Sequence, residues 1–411
     1  MTPTEVAAAY PKHAKAIARG AECWRCPLLG CGRGPVHGEV VPNAPVAFIG
    51  EAPGPNEVEQ ARCFVGKSGQ ILNDAITDGG SDRHSLTVIN ALLCEPDEEL
   101  QQYITRLKHR WEVETEKAEE EGRPPPPEPV SPLDCCEPRL RRDLGASNSR
   151  VLAPVGGAAL RKICDIESIP YGATKSEPGR PRSASIKKQH AAPIPLPDGR
   201  FIIPSLHPAF AMRSKDERRW KRSISRALKR AVAIGLRGRV EWTEPRFILN
   251  PTWTEAISLI DRLRAAPFVT VDIETDSRDP YSCRIRCIGL GGVDDGQEVI
   301  GVIPLRHVDG RPWWSEAIGR QLCARLRALL DERPRSGHNL AFDTLVLLRF
   351  GLMTRRDKRW ICTMLAHHDT DASEMPHDLG HVESEFFEAP RHKDDADAKF
   401  VEGIVSDYTL H

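Results

Sequence analysis

The chain has no apolar run long enough to cross a bilayer, and its amino terminus lacks the apolar core of a signal peptide. The expectation is a cytoplasmic protein with no membrane partner. Net charge is almost absent, −1 over 411 residues, so the bulk balance points to no partner class. No internal repeat relates the two halves. Disulfides are not expected either: the 12 cysteines of a cytoplasmic chain are better read as metal ligands or buried thiols.

What is present is uneven. The length fits two domains, and 40% apolar residues suffice for two cores. Eleven Lys and Arg fall between Phe210 and Arg239, against only Asp216 and Glu217. This basic helix carries Trp220, and such a surface suits phosphate contact, with Arg213 and Lys215 as DNA-contact candidates. Residues 97–132 are charged, helix-prone and end in a proline run, which reads as an insertion with a solvated helix and a stiff polyproline tether. Around it, strands and helices alternate, predicting an α/β domain over 1–238. A linker follows, and a second α/β unit over 245–411.

The most informative stretch is 45–69. An apolar run ends in Gly50-Glu51-Ala52-Pro53-Gly54, a buried strand opening into a tight loop where backbone and one carboxylate can approach a ligand. Cys23-x2-Cys26, Cys94 and Cys135-Cys136 supply thiolates that fit zinc or a [4Fe–4S] cluster. Cys23-x2-Cys26-Pro27-Leu28, Gly50 to Gly54, Phe64-Val65-Gly66-x-Ser68-Gly69, Asn90-x3-Cys94 and His207-Pro208-Ala209 occur in that order. Together they resemble the family 4, iron–sulfur uracil-DNA glycosylases over about residues 5–235.

The resemblance implies a three-layer α/β/α domain with a parallel sheet. It also implies a [4Fe–4S] cluster on Cys23, Cys26, Cys94 and Cys136, with Cys135 the alternative to Cys136. The substrate would be uracil-containing DNA, single- or double-stranded, with the base flipped into a pocket. Phe64 would stack on uracil, and the Asn90 amide would accept from N3–H and donate to O4, refusing cytosine. His207 would donate to O2 as charge develops there, a contribution of about 3–4 kcal/mol. Glu51 would orient water or steady the cationic sugar. Backbone of Gly50, Ala52, Pro53 and Gly54, with Ser68, would line the pocket. Leu93 stands where the family usually has lysine, and the Cys94–Cys136 spacing is lengthened by the insertion. The basic segment 175–190 (Lys175, Arg180, Arg182, Lys187, Lys188, His190) is expected to touch DNA. It does not reproduce the motif of a related branch that bonds covalently to the abasic sugar.

In the second half, Asp272-Ile273-Glu274 puts two carboxylates on one face of a strand. Asp343 opens a helix after Asn339-x2-Phe342. Carboxylates so grouped suit Mg²⁺ or Mn²⁺ and two-metal phosphodiester hydrolysis. The pattern resembles the first two motifs of DEDD 3′–5′ exonucleases, like the proofreading domain of family A DNA polymerases. The implied fold is RNase H-like α/β, with Asp272, Glu274 and Asp343 as ligands and Asn339 and Phe342 on the 3′-terminal nucleotides. The third motif, Tyr- or His-x3-Asp, is missing where it belongs: His367-x3-Asp371 comes too early, and Asp407 to His411 looks like an approach to it. A DNA polymerase, as partner or as a further domain, and a bacteriophage origin with location in the host cytoplasm are the architectural expectations. Rival readings are a non-catalytic uracil-DNA-binding scaffold and a nuclease whose first domain holds only a structural metal.

Overall fold

The computed structural model describes residues 1–31, 33–169, 186–243, 245–354, 359–370 and 376–390. The chain divides into two compact units, Met1–Glu241 with the described residues from Glu383, and Trp242–Val382. Glu385 is buried in the first unit, where Ser223 and Arg226 both bond to its carboxylate. The compact units therefore follow the chain less simply than a division into 1–238 and 245–411.

The sheet of the first unit has the order β2-β1-β3-β5-β4. It is built from β1 (Val46–Gly50), β2 (Thr87–Asn90), β3 (Val151–Pro154), β4 (Ile194–Pro195) and β5 (Phe201–Ile202). All neighbours are parallel except β4 with β5. The central strands are buried throughout, as a parallel sheet covered on both faces requires. The chain runs from β1 outward to β2, then returns past β1 to β3. This reversal makes a switch point at the carboxyl ends of β1 and β3, where open α/β sheets hold ligands.

The insertion is less solvated than its composition implies. Its helix, Leu100–Glu120, buries Leu100, Tyr103 and Ala118, and Ile104 and Leu107 pack on the core. The proline run is tied to this helix, since Trp111 Nε1 donates to the carbonyl of Pro126 at 2.9 Å.

The basic helix spans Glu217–Arg237 and buries Trp220, Ile224, Ala227, Leu228, Ala231 and Ile234 at helical spacing. Trp220 is 5% exposed and meets Phe210 edge-on at 4.9 Å, so it is a core residue and not part of a phosphate-binding surface. Of the basic groups, Lys229 pairs with Asp78 and Lys221 with Glu217, while Arg218 and Arg222 are exposed.

The sheet of the second unit has the order β11-β10-β7-β8-β9-β6. Its strands are β6 (Phe247–Leu249), β7 (Val269–Thr275), β8 (Ile285–Asp294), β9 (Gln297–Pro304), β10 (Arg335–Gly337) and β11 (Trp360–Cys362). β7, β8 and β9 form an antiparallel meander, and β10 and β11 continue parallel beside β7. This is the RNase H-like α/β arrangement. Val269, Val271 and Ile273 face a core filled by the helices Trp253–Ala265 and Glu316–Glu332, while Thr270 and Asp272 are exposed on the other face. Among the described residues, no helix is long and apolar enough to cross a membrane.

Candidate functional site

Gly50 ends β1 and lies in register with Asn90, which ends β2. Gly50 is obligatory at this crossing: a Cβ there would lie 2.1 Å from Asn90 Oδ1 and 2.7 Å from the Phe64 ring. Phe64 adopts a left-handed φ of 54° and is 2% exposed, its ring held over the strand end. Gly69 permits that turn, because a Cβ there would meet the Phe64 carbonyl oxygen at 2.0 Å. Pro53 is buried, Ala52 and Gly54 are half-buried, and Ser68 lies in the first turn of the helix Lys67–Asp78.

Glu57 organises this corner. Its carboxylate accepts from Phe64 N at 2.6 Å, from Gly54 N at 3.2 Å and from Asn90 Nδ2 at 3.2 Å. Asn90 Nδ2 also donates to Cys63 Sγ at 3.6 Å, so the amide is held with Nδ2 toward Glu57 and Cys63. Burial raises the Glu57 carboxyl above its ordinary pKa, against the lowering effect of these hydrogen bonds. Sequence reasoning left Glu57 without a role; its proximity to Phe64 and Asn90 is invisible until the loop closes.

Glu51 follows Gly50 and reaches the amino terminus of the helix Gly157–Ile166, where Oε1 accepts from Ala158 N at 2.8 Å. Gly156, at φ 108°, clears space for it, since a Cβ would fall 2.4 Å from Oε1. Burial raises the Glu51 carboxyl, partly offset by the Ala158 hydrogen bond.

His207 precedes the helix Pro208–Arg213 and accepts from Ala209 N through Nδ1 at 3.2 Å. Nδ1 is thus unprotonated and the proton sits on Nε2, leaving a neutral imidazole that donates from Nε2. Burial, with Arg213 nearby, lowers its pKa to about 4. Arg213 itself is paired with Glu99, and Lys215 is exposed. Of the basic loop, Lys187 lies over the Phe210 ring at 5.0 Å, and His190 is buried against Ser223 and Leu206 N. Lys175, Arg180 and Arg182 lie outside the described residues.

Cys23, Cys26, Cys94, Cys135 and Cys136 line one small cavity beneath this corner. Among the described residues, no three metal-binding side chains close around a single cation position. The thiols pair instead: Cys26 is raised by donating its S–H to Cys135, and the Cys31–Cys94 pair lowers Cys31 and raises Cys94. Burial pushes Cys23 up to about 12, with Cys136 and Cys26 adding to it. Burial also raises Cys136. Such a thiol-rich, buried donor set fits a thiophilic metal or cluster, which would replace the protons on the sulfurs. Cys31 escaped the sequence reading, and both Cys135 and Cys136 face the cavity.

Arg139, 1% exposed, links the cavity to the corner. It donates to the carbonyls of Asn90 at 2.9 Å and Ala91 at 2.7 Å, and to Asp143 at 3.1 Å. It lies three residues after Cys136 on the helix Pro132–Ser147, so the cysteine helix fixes the backbone at Asn90.

In the second unit, Asp343 Oδ1 accepts from Ile273 N at 3.1 Å, between Asp272 and Glu274. Burial raises the Asp343 carboxyl, and the Glu274 charge adds to the rise. A buried carboxyl beside another carboxylate is a donor set that fits Mg²⁺ or Mn²⁺. Asn339 is exposed at a left-handed φ of 55°, whereas Phe342 packs partly against the core. His367 is buried and bonded to His377, while Asp371 and Asp407 to His411 lie outside the described residues.

Residues 37–229 match the model of the uracil DNA glycosylase superfamily. The type-4 uracil-DNA glycosylase of Thermotoga maritima is 24% identical over 197 residues, 48% of this chain and 81% of that protein. That of Pyrobaculum aerophilum is 29% identical over 149 residues, 36% of this chain and 68% of that protein. Among solved structures, Escherichia coli RNase D is 18% identical with a TM-score of 0.22, over 33% of this chain and 35% of that one. The Aedes aegypti Nibbler EXO domain is 12% identical with a TM-score of 0.25, over 33% and 61%. Over residues 37–229, slightly less than half of the chain, the sequence is thus similar to the uracil DNA glycosylase superfamily.

Proposed function

We propose that the first unit hydrolyses the N-glycosidic bond of deoxyuridine flipped out of DNA. The observation that carries this reading is the Asn90 amide, held by Glu57 beside Phe64 at the carboxyl end of β1. With Nδ2 held by Glu57, Oδ1 accepts from uracil N3–H, and the amide hydrogen otherwise given to Cys63 Sγ, a weak acceptor, donates to O4. As water attacks C1′, the electron pair of the N1–C1′ bond leaves with the base and spreads to O2, where His207 Nε2–H donates. A neutral donor suits this task because it strengthens as charge develops. Glu51 orients the water and steadies the cationic sugar. A [4Fe–4S] cluster on Cys23, Cys26, Cys94 and Cys136, or with Cys135 in place of Cys136, would tie the amino-terminal segment to the helix that carries Arg139. Exposed Arg218 and Arg222, with Lys215, offer phosphate contacts.

The second unit is read as a 3′–5′ exonuclease-like domain, with Asp272, Glu274 and Asp343 holding Mg²⁺ or Mn²⁺ and Asn339 near the 3′ end. Joined to a glycosylase, it suits uracil surveillance in DNA replication or repair, with a DNA polymerase as partner, as in a bacteriophage replication protein.

The test is release of free base from oligonucleotides carrying a single uracil, thymine or cytosine. Uracil release alone, abolished by Asn90→Ala and His207→Ala, is expected. Uracil binding without release, by wild-type protein, would favour a non-catalytic scaffold.

A further inference from the structure

The carboxylate face of the second sheet leads to a cleft that none of the roles above uses. Asp272 is in register with Gly289 and Glu274 with Cys287, and these pair in turn with Val302 and Pro304. Cross-strand partners in register share a face, so one surface runs from the carboxylates across β8 to the end of β9. Its middle is low, because Gly289 and Gly291 present no side chain. At the far side, about 10 Å away by the spacing of two strands, Val302 and Pro304 floor a cleft of about 400 Å³.

The cleft wall is the hairpin that follows β9. His307 and Trp313 stack in it, ring centroids 4.4 Å apart and planes 26° from parallel. The hairpin is closed by His307 N to Arg311 O at 2.8 Å and Trp313 N to Leu305 O at 3.0 Å, so the aromatic pair is carried on a fixed backbone. Arg286, Arg306 and Arg311 line the same cleft with Asp309 as its one acidic group. Arg306 is steadied by the carbonyl of Gly310 at 3.1 Å and Arg311 by Asp309 at 2.6 Å. A rigid aromatic pair flanked by guanidinium groups is what a sequence-tolerant single-strand site needs: a π-face for a base and cations for the phosphates.

We propose that this cleft is a stacking subsite for single-stranded DNA, holding a base a few nucleotides upstream of a 3′ end seated at Asp272, Glu274 and Asp343. The proposal rests on the exonuclease reading of that carboxylate face. It adds to that reading a place for an upstream base and a direction of the strand across the sheet.

The test is photocrosslinking of the full chain, in EDTA, to uracil-free oligodeoxycytidylates. Each carries one 5-iodocytosine at a stepped distance from the 3′ end, and adducts are mapped by mass spectrometry. Crosslinks are expected on the peptide holding His307 and Trp313, strongest at one position a few nucleotides from the 3′ end and lost in blunt duplex. Trp313→Leu should reduce the adduct at least about five-fold. Arg311→Glu, an exposed change that spares the fold, should weaken oligonucleotide binding and lower its salt slope by about one. The second unit's thermal unfolding transition serves as the folding control for both variants. Absence of adducts on this hairpin would overturn the proposal, as would displacement by dCMP as effective as by the unlabelled oligonucleotide. Hairpin adducts of equal strength at every position would keep the stacking subsite but sink the placement of a 3′ end at the carboxylates.

Discussion

Replacing Glu57 with alanine should change which base the first unit accepts more than how fast it acts on uracil. In the wild type, reading cytosine requires the Asn90 amide to turn over. That rotation breaks the Nδ2 bond to Glu57, 3.2 Å long, and brings Oδ1 against the carboxylate. A hydrogen bond to a charged group contributes roughly 1.5–3 kcal/mol, so the turned amide is disfavoured by about 10- to 150-fold. Glu57→Ala removes that bias. Uracil itself can still select the productive amide, at a cost near RT ln 2, or about 0.4 kcal/mol. Some further loss in uracil rate is expected because Phe64 N and Gly54 N also lose their acceptor. The assay is single-turnover base release from paired oligonucleotides carrying uracil or cytosine. Discrimination should fall by one to two orders of magnitude in Glu57→Ala, and also in Glu57→Gln, whose side chain accepts either amide orientation. Since burial raises the Glu57 carboxyl, wild-type discrimination should also decline as pH falls through that raised pKa and the group becomes a donor. Unchanged discrimination in both variants, with intact folds by circular dichroism, would refute the reasoning.

Other outcomes follow from the same geometry. Gly50→Ala, whose Cβ would overlap Asn90 Oδ1 and the Phe64 ring, should abolish uracil release while costing about 1–3 kcal/mol of stability in urea unfolding. Arg139→Met leaves Asp143 with Arg19 as its remaining cation and the carbonyls of Asn90 and Ala91 without their donor; a loss of about 1–3 kcal/mol is expected by the same measurement. His207, with a folded pKa of about 4, should show no titration near 6.5 in the rate profile or by NMR. Because the unfolded chain takes up that proton first, His207 should make the fold less stable as pH drops from about 6.5 to about 4. Mn²⁺ should raise the melting temperature of the second unit's transition, and Asp343→Asn, which removes the charge burial disfavours, should abolish that response.

The parts of this account that sequence carried are those written in adjacent residues. The strand Val46–Gly50 and its loop, the two-residue spacing of Asp272 and Glu274, and the helix that carries Asp343 in its first turn each follow from local pattern. What stayed hidden depends on distant closure. Glu57 acquires its role only when the loop brings Phe64 and Asn90 to one carboxylate, and Arg139 only when its helix lies beneath β2. Trp220 was misassigned because eleven nearby cations drew attention to the surface, although Trp220, Ile224, Ala227 and Leu228 already had the spacing of a buried stripe. The insertion looked solvated by composition, yet two of its apolar residues, Leu100 and Tyr103, anchor the first turn of its helix to the core. Cys31 lacked a motif partner in sequence and meets Cys94 only through the fold.

The most direct measurement is cleavage of a single-uracil oligonucleotide by the full chain in EDTA, followed by alkali. An intact backbone before alkali and a single break at the uracil position after it is the predicted result, since the proposed base release rests on Asn90, His207 and Glu51. Breaks that appear without alkali, require Mg²⁺ or Mn²⁺ and occur equally in thymine-containing strands would contradict it.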